Sequence, residues 1–162
     1  MKLAARLAAL ATAGALALGV VAPAYAAPGD PVTIPDTNLR ECVTTTLELG
    51  KSETVTEQQM SSLTQLQCGY GDLRTLDGLQ YATNLQVLLL DDVKIASLEP
   101  LSGLTKLTEL YVAGAPLSDL SPLSSLSALS VLTVRDADVV DLSPLTSLPL
   151  RRLDLTNNKV TS

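Results

Sequence analysis

Histidine is absent from all 162 residues, so no imidazole is available as a general base or as the centre of a serine triad. A lysine-activated serine is a formal alternative. No spacing sets Lys51, Lys94, Lys106 or Lys159 against a particular serine. Ser102, Ser121, Ser124 and Ser143 instead return at regular places along the chain, which suits turns. Two acidic groups, Asp91-Asp92 and Asp136-x-Asp138, have a spacing compatible with calcium. No glycine-rich calcium loop surrounds them, so they are read as solvated turn acids, and neither a metal nor another cofactor is expected. An enzyme is therefore not expected.

The charge balance narrows the partners. There are 11 Lys and Arg against 17 Asp and Glu, a net charge of -6. Phosphate binding needs a basic surface, so nucleic acid and anionic membrane are poor candidates. Lys2 and Arg6 precede an apolar run from Leu7 to Val21, and Ala24-Tyr25-Ala26 follows. That order, a basic start, a short apolar run and a small-x-small site, is that of an export leader cleaved after Ala26. The run is too short for a comfortable membrane span. The expectation is a secreted protein, with association to the cell envelope as a further option and no membrane span in the mature chain.

The remaining chain is organised by a repeat. Leu63, Leu85, Leu107 and Leu129 follow one another at intervals of 22 residues, and Leu150 comes after 21. Counting each as position one, the fourth position reads Leu66, Leu88, Leu110, Leu132 and Leu153. The sixth reads Cys68, Leu90, Val112, Val134 and Leu155. The eleventh reads Leu73, Ile95, Leu117, Val139 and Val160. Leucines recur at positions fourteen and seventeen, and position sixteen is Gly78, then Pro100, Pro122 and Pro144. Positions four and six point the same way from an extended strand. The three-residue spacing that follows suits a 3₁₀-like return path. One coil cannot bury its own leucines, but stacked coils can, and each adds a strand to a parallel sheet.

The segments Asp119-Leu120-Ser121-Pro122-Leu123 and Asp141-Leu142-Ser143-Pro144-Leu145 resemble the bacterial internalin-type leucine-rich repeat. The resemblance implies an α/β solenoid with a parallel concave sheet, a convex side of 3₁₀ turns and a helical N-terminal cap. It also implies a secreted or surface recognition module. The family usually carries Asn at position nine, where its side chain ties successive turns together. Here that position reads Gly71, Val93, Ala115, Ala137 and only then Asn158. Backbone groups in the earlier turns must find other partners or water.

The domain reading is a leader at 1–26, a linker and helical cap at 27–62, and four full repeats plus a partial one at 63–162. In the cap, Leu39, Cys42, Val43 and Leu47 fall on one helical face after Pro35-Asp36-Thr37-Asn38, with Gly50 as a stop. Thr56 with Gln59 reads as a second helix start. The order Ile34-Pro35-Asp36-x-x-Leu39-Arg40 followed by Val55-Thr56-Glu57 also resembles the cap of internalin-type proteins. Cys42 on the cap and Cys68 in the first strand should lie between these two elements, so an exported chain is expected to join them in a disulfide. Two buried thiols are the alternative.

Strand positions three and five face away from the leucine core. In the middle strands they are Val87 and Leu89, Glu109 and Tyr111, Val131 and Thr133. Apolar side chains here, ringed by polar ones, mark a contact surface, although Val, Tyr and Thr also favour strands in general. These six residues are the candidate partner-binding site, and the partner is expected to be a protein. An alternative is self-association through the last repeat, where Leu145, Leu148, Leu153 and Leu155 border an uncovered end. A sequence cut from a longer protein would explain the same end.

Overall fold

The computed structural model describes residues 29–69 and 71–160. The leader assigned to 1–26 lies outside the described residues. Strands β1 (Gln65–Gly69), β2 (Val87–Asp91), β3 (Glu109–Ala113), β4 (Val131–Arg135) and β5 (Arg152–Asp154) form one parallel sheet in chain order. Each residue pairs with its counterpart one repeat on, so Leu66, Leu88, Leu110, Leu132 and Leu153 make one continuous row. The inward columns close into a single leucine-rich core from Leu63 to Leu145, continuous with the cap residues Leu39, Val43 and Met60. This is the α/β solenoid that the repeat implies.

The return path is built from 3₁₀ turns at Leu79–Tyr81, Glu99–Leu101, Ser121–Leu123 and Ser143–Leu145. Position thirteen opens each of them, a role the leucine spacing does not reveal. Thr75 Oγ1 accepts from the Asp77 amide at 3.2 Å and Ser97 Oγ from Glu99 at 3.1 Å. Asp119 and Asp141 each accept from the amide of the serine two residues on at 2.8 Å. These are the local side-chain turns that Ser, Thr and Asp favour. Proline then presets the dihedral of the three later turns. In the first unit Gly78 replaces proline and the turn starts two residues later. Gly78 has φ +105°, and a Cβ there would lie 2.8 Å from Ile34 Cγ1. Only glycine lets the cap segment approach so closely.

Strands β2 to β5 each leave through a left-handed residue at position eight: Asp92 (φ +51°), Gly114 (+73°), Asp136 (+52°) and Asn157 (+57°). Asp, Asn and Gly are the residues that tolerate this conformation. Position nine then turns inward. Asn158 bridges the turn as the family pattern implies. Its Nδ2 donates to the carbonyls of Val134 (2.7 Å) and Leu155 (3.0 Å), and its Oδ1 accepts from the Val139 amide at 3.1 Å. In the earlier turns Val93, Ala115 and Ala137 fill the same place with apolar side chains, all buried. Packing replaces the asparagine bonds there, and the sheet register stays intact across them.

A second set of bonds ties the flank. The position-ten amides of Lys94, Asp138 and Lys159 donate to the position-eleven carbonyls of Leu73, Leu117 and Val139 in the preceding coil, at 2.8, 2.8 and 2.9 Å. Position ten of the third repeat is Pro116, which has no N–H to offer Ile95.

The cap begins with helix α1 (Thr37–Thr46), whose N-cap Asp36 accepts from the amides of Asn38 and Leu39 at 2.9 and 3.1 Å. Leu39 and Val43 are fully buried, while Cys42 and Leu47 are half-buried. The helix ends well before Gly50, because Glu48 takes a left-handed turn at φ +56°. Helix α2 (Glu57–Ser62) starts with the expected capping box between Thr56 and Gln59. Cys42 and Cys68 form a disulfide that fastens α1 to β1. At the other end, Leu145 is buried, Leu148 and Leu155 are half-buried, and Leu153 is 44% exposed.

Candidate functional site

The concave face is the outward side of the sheet, and its register turns sequence positions into rows. One row runs Gln65, Val87, Glu109, Val131, Arg152. The next runs Gln67, Leu89, Tyr111, Thr133, Asp154. All six residues expected to meet a partner lie together on the three central strands, and all six are half-buried. Adjacent strands lie about 4.8 Å apart, so Leu89 and Tyr111 are direct neighbours, while Glu109 stands between Val87 and Val131.

Two polar contacts hold this surface in shape. The Tyr111 hydroxyl donates to Glu109 Oε2 at 2.8 Å. Alternate residues on a strand share a face, so the pair lies flat along β3. This bond, together with partial burial and the nearby carboxylate charge, raises the Tyr111 phenol above its ordinary range. At the C-terminal side, Arg135 Nε donates to Asp154 Oδ2 at 2.9 Å, and its terminal nitrogen reaches the same oxygen. Arg135 and then Thr156, through its hydroxyl and its amide, hold the Asp154 carboxyl far below the usual carboxylate range.

These side chains border two adjoining hollows. The first, of about 460 Å³, runs over Leu89, Tyr111 and Ala113 between Gln67 and Arg135. The second, of about 440 Å³, lies between Tyr111, Thr133, Arg135, Arg152 and Asp154. Tyr111, Thr133 and Arg135 border both. The outward-facing reading of the strands finds the apolar centre. It misses the Arg135–Asp154 pair, because Arg135 stands at position seven, one past the alternation considered. The signal for it is the row Gly69, Asp91, Ala113, Arg135, which the register places along the rim.

The residues that raised the question of chemistry are occupied elsewhere. Ser121 and Ser143 donate their hydroxyls to Asp119 and Asp141 at 2.9 and 2.8 Å. Lys51 pairs with Glu41, Lys94 with Asp72 and Lys159 with Asp138, while Lys106 donates to Asn84. Asp136 accepts from the Asn157 side chain at 2.7 Å. Asp92 and Asp136 serve as the left-handed turn residues. Among the described residues, no group of three or more His, Cys, Asp or Glu is arranged to hold a metal ion. No helix among them is long and apolar enough to cross a membrane.

The family described as Leucine Rich repeats (2 copies) matches residues 83–125, the stretch that holds β2, β3 and the turns around them. The structure is similar to that of an internalin (inlF) from Listeria monocytogenes. The TM-score is 0.70 at 26% identity, over 85% of this chain and 48% of that one. The chain shares the internalin-type leucine-rich-repeat fold. Internalin C2 (inlC2) from the same organism matches at TM-score 0.63 and 28% identity, over 84% of this chain and 72% of its own. The fold is shared also with the functional domain of InlJ from Listeria monocytogenes, at TM-score 0.67 and 22% identity, over 83% and 40% of the two chains. This chain thus spans about half the length of the inlF chain it matches. No curated protein matches it in sequence.

Proposed function

We propose that this protein is a secreted or surface module that binds another protein through the concave face of its sheet and performs no catalysis. The observation that carries this reading is the half-exposed patch of Val87, Leu89, Tyr111 and Val131. Leu89 and Tyr111 are direct neighbours, with Val87 and Val131 on either side of Glu109, on a face whose flanking strands carry Gln65, Gln67, Arg152 and Asp154. Contiguous apolar patches rimmed by polar groups mark interaction sites. Tyrosine suits the centre of one because it is stiff and amphipathic. The leader pattern supports export, and the Cys42–Cys68 disulfide suits an oxidising compartment.

The test is a pull-down with the mature chain against envelope proteins and host proteins, repeated with Leu89→Ser/Tyr111→Ser. Both side chains face outward, so the variant should keep its circular dichroism spectrum. The expected result is a captured partner lost on substitution. Undiminished capture by the folded variant would remove the concave face from consideration.

A further inference from the structure

We infer that the concave face selects a partner segment in which a bulky apolar side chain is followed by a carboxylate. The apolar group would sit over Leu89 and Tyr111 and the carboxylate against Arg152. This inference rests on the concave-face reading and specifies the chemistry of what that face takes.

The argument is charge complementarity within one continuous groove. The first hollow has Leu89 and the Tyr111 ring as its floor. The second, beginning at the same Tyr111, carries the guanidinium groups of Arg135 and Arg152 together with the Thr133 hydroxyl. Its own carboxylate, Asp154, is committed to Arg135, from which it takes two bonds. Of the other acids on the face, Glu109 is committed to the Tyr111 hydroxyl, and Asp91 borders the first hollow on β2, three strands from Arg152. Arg152 is exposed and, among the described residues, forms no ion pair. Its row neighbour toward the centre is Val131, so the charge stands beside the apolar patch. Arginine presents a planar fork suited to a carboxylate.

The whole chain carries a net charge of -6, so long-range attraction favours a cationic partner. A preference for an acidic one must come from this local arrangement. That opposition makes the inference easy to test.

The probes are two synthetic extended peptides with the same Phe-Leu centre, one followed by two Asp and the other by two Lys. Binding to the disulfide-bonded chain is followed by amide chemical-shift titration at low salt. The expected result is shifts at Leu89, Tyr111 and Arg152, with the Asp peptide bound about tenfold more tightly. Arg152→Glu should abolish that preference. Asp154→Asn, which loosens the hold on Arg135, should strengthen Asp-peptide binding severalfold. Equal or reversed affinities in the unaltered chain, no binding of either peptide, or a preference that persists in Arg152→Glu would overturn the inference. The broader reading is tested separately by Leu89→Ser/Tyr111→Ser. If that variant weakens both peptides while no charge preference exists, the concave face stands and only its acidic specificity falls. If shifts appear but the variant changes neither affinity, both fall.

Discussion

Asp36 bonds across the junction between the cap and the first repeat. Its Oδ1 caps α1, and its Oδ2 accepts from the Arg74 amide at 2.8 Å. Partial burial pushes this carboxyl up, but backbone donors from Arg74, Leu39, Asn38 and Thr75 outweigh that, and it lies below its ordinary range. One side chain therefore starts a helix and positions it against the solenoid.

Replacing Asp36 with Ala should cost about 1–2 kcal/mol, the worth of an N-cap and a charge-assisted bond. Asp36→Asn should cost less, since its amide oxygen can still cap the helix but its NH₂ cannot accept from Arg74. A carboxyl lowered on folding contributes stability above its unfolded value and loses it as pH falls through the folded value. Urea midpoints at neutral pH and near pH 2 measure this. The gap between the unaltered chain and Asp36→Asn should shrink in acid.

Tyr111 gives the opposite sign. Its phenol is raised on folding, so its contribution is present below the ordinary phenol range and is lost as pH rises through the folded value. Alkaline titration followed by tyrosinate absorbance should show one late-titrating phenol. Glu109→Gln should return it toward the ordinary range, and an unchanged titration would dissociate the pair.

The disulfide is expected to contribute about 3 kcal/mol through the loop it closes in the unfolded chain. Cys42→Ser/Cys68→Ser should lower the thermal midpoint by on the order of 10 °C. Cys68 borders the first hollow only at its β1 edge, and Leu89, Tyr111 and Arg152 lie on other strands, so peptide affinity below the new midpoint should change little. A midpoint unaffected by reductant would contradict the role given to the bond.

Asn158→Ala should cost about 1–2 kcal/mol, because it strips partners from the Val134 and Leu155 carbonyls and the Val139 amide. Hydrogen exchange should accelerate at Val139 first. The same loss cannot occur at Val93 or Ala115, which make no such bonds with their side chains.

The fold was legible because its determinants are periodic. The leucine columns gave the strands, their register and the core, and Cys42 and Cys68 were each placed by the element that carries them. Less was legible where a side chain acts through a neighbour in space. The position-thirteen turns were hidden because Thr75, Ser97, Asp119 and Asp141 look unlike one another, although each carries an oxygen that accepts an amide. The left-handed turns at Asp92 and Asp136 read as solvated turn acids until the dihedral explained them, and nothing in the repeat singled out Asn157. At the candidate site, alternation gave the apolar centre. The Arg135–Asp154 pair joins residues 19 apart in sequence, and only the register brings them together.

Pro116 bears on that site. The flank bond is made from the second coil to the first, from the fourth to the third and from the fifth to the fourth, and the third coil has a proline in the donor's place. The second and third coils are therefore joined by the sheet, the leucine core and the bond from the Ser125 hydroxyl to the Ser102 carbonyl, without that flank bond. Leu89 and Tyr111 are paired across that same junction. Their spacing is fixed by strand pairing, and a partner that grips both also bridges the junction that lacks the flank bond.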